Sequence, residues 1–569
     1  MKMTPVLQAL KEIEHQGKTG VHFVDEKGRE KFHSSADLIA RAKCVAAGLR
    51  ARGVQTGEPV VLVVTEPQTA ILVILGCMMA GCPPTPIYPP LNLAAVPAFL
   101  AFINHVVDRS RATFLVADEQ PYRVVVGVGK GNRLRGIEKT ANLLSSNGSF
   151  EFTGKTENPI AFLQFTSGST SVPKGVMVTH ESLAANLWMI REASHMDRNS
   201  CVVTWLPVYH DMGLIGTVLN AITLPCKLVV LPPLLFLKKP RLWLELITRH
   251  RGTHTAAPNF AHGLCVRRVE DVSNLDLGSM TTFICGAEPV MPKTMEAFVA
   301  HYRNAGLSPG AMVPAYGLAE ATLAVTFTPH GRGLASETVD LLKLSTERFA
   351  EPIAAGNSHG LRVSSCGPPM AGLQVRVASE AGVPLPERNV GEIQIAGPTV
   401  TPGYIGDDEA TRASRTVDGW LRTGDLGYMA GGELYPCGRT KEMIIVRGKN
   451  YHAHDLEYLA SEVAGVRTGN VVAFGLQKES GEVLVVVAET RDMDKQKDLA
   501  KHIRSHLAES IGIAPDDVVV VPAGTLPKTS SGKLKRLETR TLYERNTLLE
   551  KPSSLAALGT ILKNRIFPG

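Results

Sequence analysis

The chain has 569 residues, 20% of them charged, and a formal net charge of only +6. That length is too great for one compact core and calls for two or more domains. So slight a basic excess gives no reason to expect a nucleic-acid partner, although it suits an acidic protein or a small anion. Nine cysteines are scattered between Cys44 and Cys437 without a C-x-x-C pair, which excludes a disulfide framework or zinc cluster and fits a reducing cytoplasm.

In chain order, the opening segment carries Lys11, Glu12 and Glu14 where a signal peptide needs an apolar stretch, so no export signal is expected. The apolar run from Ala70 to Cys82 is well short of the roughly 20 residues that cross a bilayer and reads as a buried helix. No transmembrane segment is expected. From about residue 20 to 330, short β-rich runs such as Val60 to Val64, Phe114 to Asp118 and Lys227 to Leu231 alternate with longer helical stretches. That rhythm predicts an α/β body with largely parallel sheets. From about Leu361 to Tyr428, short strands separated by Gly and Pro turns predict a small β-barrel. After Gly438 to Gly448 the pattern alternates again, with an amphipathic helix over Lys497 to Ile511, as in a compact α+β module.

The strongest local signal is Phe162-Leu-Gln-Phe-Thr-Ser-Gly-Ser-Thr-Ser-Val-Pro-Lys-Gly175, a strand-like run opening into a loop of hydroxyls and glycines that ends in a lysine. Glycines let backbone N–H groups converge on an anion, hydroxyls add donors, and a lysine supplies mobile charge. Thr166, Ser167, Gly168, Ser169, Thr170 and Lys174 are therefore candidate phosphate contacts. The loop is not a Walker A motif: after Gly168 and the intervening residues that motif needs Gly-Lys-Ser/Thr, and here stands Pro173-Lys174-Gly175. Taken alone, the loop also reads as a solvated Ser/Thr-rich turn.

The run T-S-G-S-T-x-x-P-K-G resembles the phosphate loop of the adenylate-forming superfamily, which includes acyl-CoA synthetases, peptide-synthetase adenylation domains and luciferases. Tyr316-Gly-Leu-Ala-Glu320, Thr423-Gly-Asp425, Gly438-Arg439-Thr-Lys441 and Pro527 to Lys533 follow in that family's order, so the resemblance covers nearly the whole chain. It implies an N-terminal adenylation domain over 1–438, with a barrel part at about 361–438, and a C-terminal lid domain over 439–569 that swings about Lys441. It also implies ATP and Mg²⁺ as cofactors.

The implied roles have physical reasons. Tyr316 and Gly286-Ala287-Glu288 would wall the adenine, a flat ring against a flat face. Asp425 and Arg439 would clamp the ribose hydroxyls. Glu320 would hold Mg²⁺, a hard cation that needs oxygen ligands. Lys533 would bridge the attacking carboxylate and the α-phosphate, two anions that must otherwise repel. Read singly, each has a duller account: a core tyrosine, a turn aspartate, a surface glutamate or an exposed lysine.

Three stretches resemble the fatty acyl-AMP ligase branch: Trp205 to Gly216, Pro86-Ile-Tyr-Pro-Pro90 and Ala257-Pro-Asn-Phe260. His210 matches a position that places the substrate carboxylate, and Met212 to Gly216 suggests an apolar passage for an alkyl chain, although Asp211 stands near where amino-acid-activating relatives pair an ammonium. An extra stretch at about 339–366 falls where that branch carries an insertion that packs on the C-terminal domain and goes with poor CoA use. The implied function is ATP-dependent activation of a fatty acid, the acyl group passing to the phosphopantetheine arm of an acyl carrier protein. The alternatives are an acyl-CoA synthetase and a catalytically silent acyl or nucleotide-binding relative.

Overall fold

The computed structural model describes residues 2–3, 5–88, 96–127, 133–166, 173–357, 359–446, 449–478, 481–528 and 534–549. Two parallel sheets form its body. In the first, Val60–Val63 lies between Pro84–Pro86 and Phe114–Ala117, with Gly136–Lys139 outermost, and all three pairings are parallel. Val60–Val63 is buried along its whole length, as a parallel strand covered on both faces must be. One cover is the helix Pro67–Met79, whose core from Ala70 to Met79 is buried throughout. Its start is fixed by Pro67 in the first turn and by the Glu66 carboxylate, which accepts from Gln68 N at 3.1 Å and Thr69 N at 2.6 Å. The apolar run is thus a core helix, and no helix among the described residues is long and apolar enough to cross a membrane.

The second sheet has eight strands in the order Ala324–Phe327, Met312–Gly317, Thr282–Cys285, His254–Ala257, Cys201–Thr204, Lys227–Val230, Gly20–Val24 and Glu30–Ser34. Both edge strands are antiparallel and those between are parallel. In such sheets the carboxyl ends of the strands open onto the ligand crevice. Here the residues that leave those ends are His210, Phe260, Glu288 and Tyr316, brought side by side by strand order. At the far edge His22, Glu30 and His250 cluster, but Glu30 is bound by Arg249 as well as His250, so the group reads as an ion-pair network that ties hairpin to helix.

Where the barrel was expected, a four-stranded antiparallel sheet runs in the order Gln374–Ala378, Gly391–Ala396, Leu421–Ala430 and Glu433–Arg439. A two-stranded ribbon, Ser336–Asp340 with Gly360–Ser364, packs on it together with the helix Leu341–Thr346. Val339, Leu344 and Val363 of this extra stretch share a core with Leu426, Tyr428 and Cys437, and Met443 and Leu459 close its margin. The extra stretch therefore touches the C-terminal module as well as the sheet.

That module has its own core of Leu456, Ala473, Val486, Ile503 and Leu507, between three strands and the helices Ala453–Glu462 and Gln496–Ile511. Arg536 anchors the helix Arg536–Glu544. Its guanidinium binds Glu457 at 2.6 and 2.7 Å and also Glu442, which lies in the turn Thr440–Glu442. All nine cysteines are free thiols.

Candidate active site

One cavity of about 2020 Å³ runs between the large domain and the C-terminal module, and its walls hold most of the residues singled out from sequence. At one end of it the key pair is set by strand register. Asp425 and Arg439 lie directly opposite each other on neighbouring antiparallel strands, and Arg439 Nε reaches Asp425 Oδ1 at 2.8 Å. The other carboxylate oxygen accepts from the Tyr316 hydroxyl at 2.8 Å. Asp425 N donates to Thr423 Oγ1 at 3.0 Å, around a turn that Gly424 makes with φ +71°. The charge of Asp425 holds the Arg439 guanidinium above its ordinary pKa, and burial beside that charge pushes the Tyr316 phenol well up. Each carboxylate oxygen keeps a second lone pair, so the clamp can still accept a ribose hydroxyl.

The opposite wall is Gly286-Ala287-Glu288. A Cβ on Gly286 would sit 2.8 Å from Ala315 O, so only glycine lets this loop approach the neighbouring strand. Ala287 takes φ +65°, a strained setting that the loop must hold in place. The Glu288 carboxylate supplies a fastening, since it accepts from Phe260 N at 2.6 Å at the start of the helix Asn259–Arg268. Glu288 thus serves this wall partly as a helix cap.

Elsewhere in the same cavity, Glu320 lies in the short turn Ala319–Ala321. Thr322 follows at φ 69°, ψ −58°, and Leu323 N donates to Ala321 O at 2.9 Å. This is a positive-φ γ-turn, rare and strained for a β-branched residue. It is held because Thr322 is wholly buried and its hydroxyl donates to Thr399 O at 2.7 Å. Glu320 Oε1 accepts from the Tyr404 hydroxyl at 2.8 Å, and Lys174 Nζ stands 4.8 Å above the Tyr404 ring. Burial raises the Glu320 carboxyl above the usual carboxylate range. A half-buried carboxylate whose surroundings penalise its charge, lining the cavity, is a fitting ligand for a hard divalent cation. Thr166 N donates to Lys174 O at 3.0 Å; Ser167, Gly168, Ser169 and Thr170 lie outside the described residues.

Along another wall, His210 Nδ1 lies 2.7 Å from Asp211 Oδ1, which also accepts from Met212 N at 2.7 Å. Asp211 therefore orients His210. Beyond it Leu214–Leu219 is a π-helix, packed so closely that a Cβ on Gly213 would meet Pro207 O at 2.2 Å. Met212, Gly216, Phe260, Leu264 and Leu323 line an apolar stretch of the cavity. Lys533 lies outside the described residues, but Lys528 and Leu534 on either side of its loop pair with one another and both line the cleft. The Lys441 backbone lies in the turn Thr440–Glu442.

Comparison with known proteins agrees with this geometry. The family model for AMP-binding enzymes matches residues 13–405. The chain belongs to that family. A Caulobacter vibrioides protein named an acyl-CoA synthetase is 33% identical over 95% of this chain and 95% of its own length. The medium-chain-fatty-acid–[acyl-carrier-protein] ligase JamA of Moorena producens is 32% identical over 92% of each chain. Among solved structures, one of the fatty acyl-adenylate ligases studied from E. coli and L. pneumophila superposes with a TM-score of 0.89 at 28% identity, covering 95% of this chain and 98% of that one. As an AMP-binding enzyme the protein uses ATP. Sequence reasoning missed Tyr404 and Thr322, which position Glu320. Tyr404 follows Pro402-Gly403, but nothing local ties it to a carboxylate 84 residues away.

Proposed function

We propose that this enzyme activates a fatty acid as its acyl-adenylate and passes the acyl group to the phosphopantetheine arm of an acyl carrier protein. The observation that carries this reading is the Asp425, Arg439 and Tyr316 cluster at one end of a cavity whose other walls are the half-buried Glu320 and an apolar passage past His210. In this account Asp425 and Arg439 hold the ribose, Tyr316 and the 286–288 loop flank the adenine, and the phosphate loop with Lys174 holds the β- and γ-phosphates. Mg²⁺, held by Glu320, supplies charge to offset the triphosphate when bound.

His210 orients the substrate carboxylate, and Lys533 stands between it and the α-phosphate. A carboxylate oxygen then bonds to the α-phosphorus as the bond to the bridging α,β-oxygen breaks, and pyrophosphate leaves. The boundary near 438, rotation about Lys441 and a cytoplasmic setting complete the proposal.

The extra stretch favours the carrier protein over CoA, because its core is shared with Met443 and Leu459 and so ties the C-terminal module to the large domain. Incubation with ATP, Mg²⁺ and fatty acids of graded length, read by mass spectrometry, tests both parts. The expected products are acyl-AMP and pyrophosphate, with acyl transfer to a holo-carrier protein and little to CoA. Rapid acyl-CoA formation would replace this acceptor with CoA, and no acyl-AMP from any acid would leave only a nucleotide-binding relative.

A further inference from the structure

The segment from Thr401 to Ile405 belongs to none of the motifs read from sequence, yet it is fastened to both halves of the triphosphate end. On one side Met177 N donates to Gly403 O at 3.0 Å and Ile405 N donates to Gly175 O at 2.8 Å, which binds it to the strand that begins beside Lys174. On the other side Thr401 N donates to Glu320 O at 2.9 Å. The strap has little slack. Tyr404 N donates to Thr411 Oγ1 at 2.9 Å, and a Cβ on Gly403 would lie 2.3 Å from Thr411 Cγ2.

Tyr404 is the one side chain in this strap that meets both halves of the triphosphate end. It is 8% exposed, its hydroxyl donates to Glu320 Oε1, and its ring face carries Lys174 Nζ. A hydrogen bond to one oxygen fixes a buried carboxylate in rotation and leaves the other oxygen to face the cavity. A ring face gives a flexible ammonium a resting place beside its ligand without a competing anion.

We propose that Tyr404 is a positioning residue that holds the metal-binding carboxylate of Glu320 and the phosphate-loop ammonium of Lys174 at a set separation, so that one metal–nucleotide complex meets both together. The hydroxyl serves the metal side and the ring serves the phosphate side. This rests on Glu320 as the metal-holding acid.

The two halves separate by substitution. Calorimetric titration of the full chain with ATP, in EDTA and in Mg²⁺, is combined with adenylate formation across Mg²⁺ concentrations. Tyr404→Phe is expected to bind metal-free ATP within about twofold of the parent, while the Mg²⁺ needed for half-maximal adenylation rises about fivefold to tenfold and saturating Mg²⁺ restores the rate. Tyr404→Leu is expected to weaken metal-free ATP binding about threefold as well.

A parental Mg²⁺ requirement in Tyr404→Phe would overturn the hydroxyl's role, and parental metal-free affinity in Tyr404→Leu would overturn the ring's. A Tyr404→Phe enzyme slow at every Mg²⁺ concentration, with a lowered Tm, would reduce the residue to packing. Glu320→Gln run in parallel isolates the premise: if it keeps the parental Mg²⁺ requirement, Glu320 is not the metal acid, whatever Tyr404 does.

Discussion

The two ends of the nucleotide cavity are built by different means. At the end proposed to hold the nucleoside, Asp425 and Arg439 face each other because two consecutive strands pair them directly, just before the register shifts between Leu426 and Gly427, so the clamp comes with the sheet. At the triphosphate end, Glu320 stands on a strained turn and is held by a side chain and a strap from far along the chain. The first arrangement is local and stiff. The second depends on several long-range contacts made at once and, in the proposed reaction, serves the end where charge is rearranged.

Removing Lys533 should separate the ends most completely. One unit charge at about 4 Å with an effective dielectric near 20 contributes about 4 kcal/mol, so Lys533→Ala should slow adenylation by roughly 10³-fold. ATP binding, set by the clamp and the phosphate loop, should change by no more than about twofold; single-turnover acyl-AMP formation beside equilibrium ATP binding checks both. A parallel loss of binding would show that the lysine belongs to the ground-state site.

Acid should destabilise the fold through its buried histidines, His262 beside the 286–288 loop among them, with His180, His254 and His452 also lowered by burial to about 4. His262 lies on the helix capped by Glu288, fully buried, with its ring 4.8 Å from that of Phe298, and burial lowers its pKa from 6.5 to about 4. Between those two values the unfolded chain binds a proton that the folded chain does not, so stability is complete above the upper value and falls as pH drops towards the lower. The loss should approach about 3 kcal/mol. Apparent Tm followed from pH 7 to 4, with His262→Gln as the control that flattens the acid slope, measures it.

Asp425→Ala should leave the Tyr316 hydroxyl and the Arg439 guanidinium without their acceptor. ATP affinity is expected to fall by about 2 kcal/mol, or roughly thirtyfold, with the Mg²⁺ requirement unchanged. The smallest effect belongs to the strained turn. Thr322→Val keeps the shape but removes the bond to Thr399 O, and should cost about 1 kcal/mol of stability by denaturant titration while raising the Mg²⁺ requirement and sparing ATP affinity in EDTA.

What the sequence made legible follows the same division. The parallel strands, the buried helix after Glu66 and the motif loops depend on short-range pattern, and the strand order then gathers His210, Glu288 and Tyr316 at one edge. Asp425 and Arg439 could be read as a pair because a hairpin joins them. Asp211 could not be assigned from sequence, since its partner depends on the side chain of its neighbour His210. Tyr404 and Thr322 were hidden for a related reason: a phenol on a carboxylate and a γ-turn held by Thr399 arise only when distant segments pack, and neither leaves a period or a spacing to read.

A crystal structure with a non-hydrolysable acyl-adenylate analogue tests the central claim most directly. The ribose hydroxyls should lie on Asp425, the adenine between Tyr316 and the 286–288 loop, and the phosphate mimic should face Glu320 and Lys174, with the alkyl chain past His210. A nucleoside bound away from the Asp425 and Arg439 pair would contradict it.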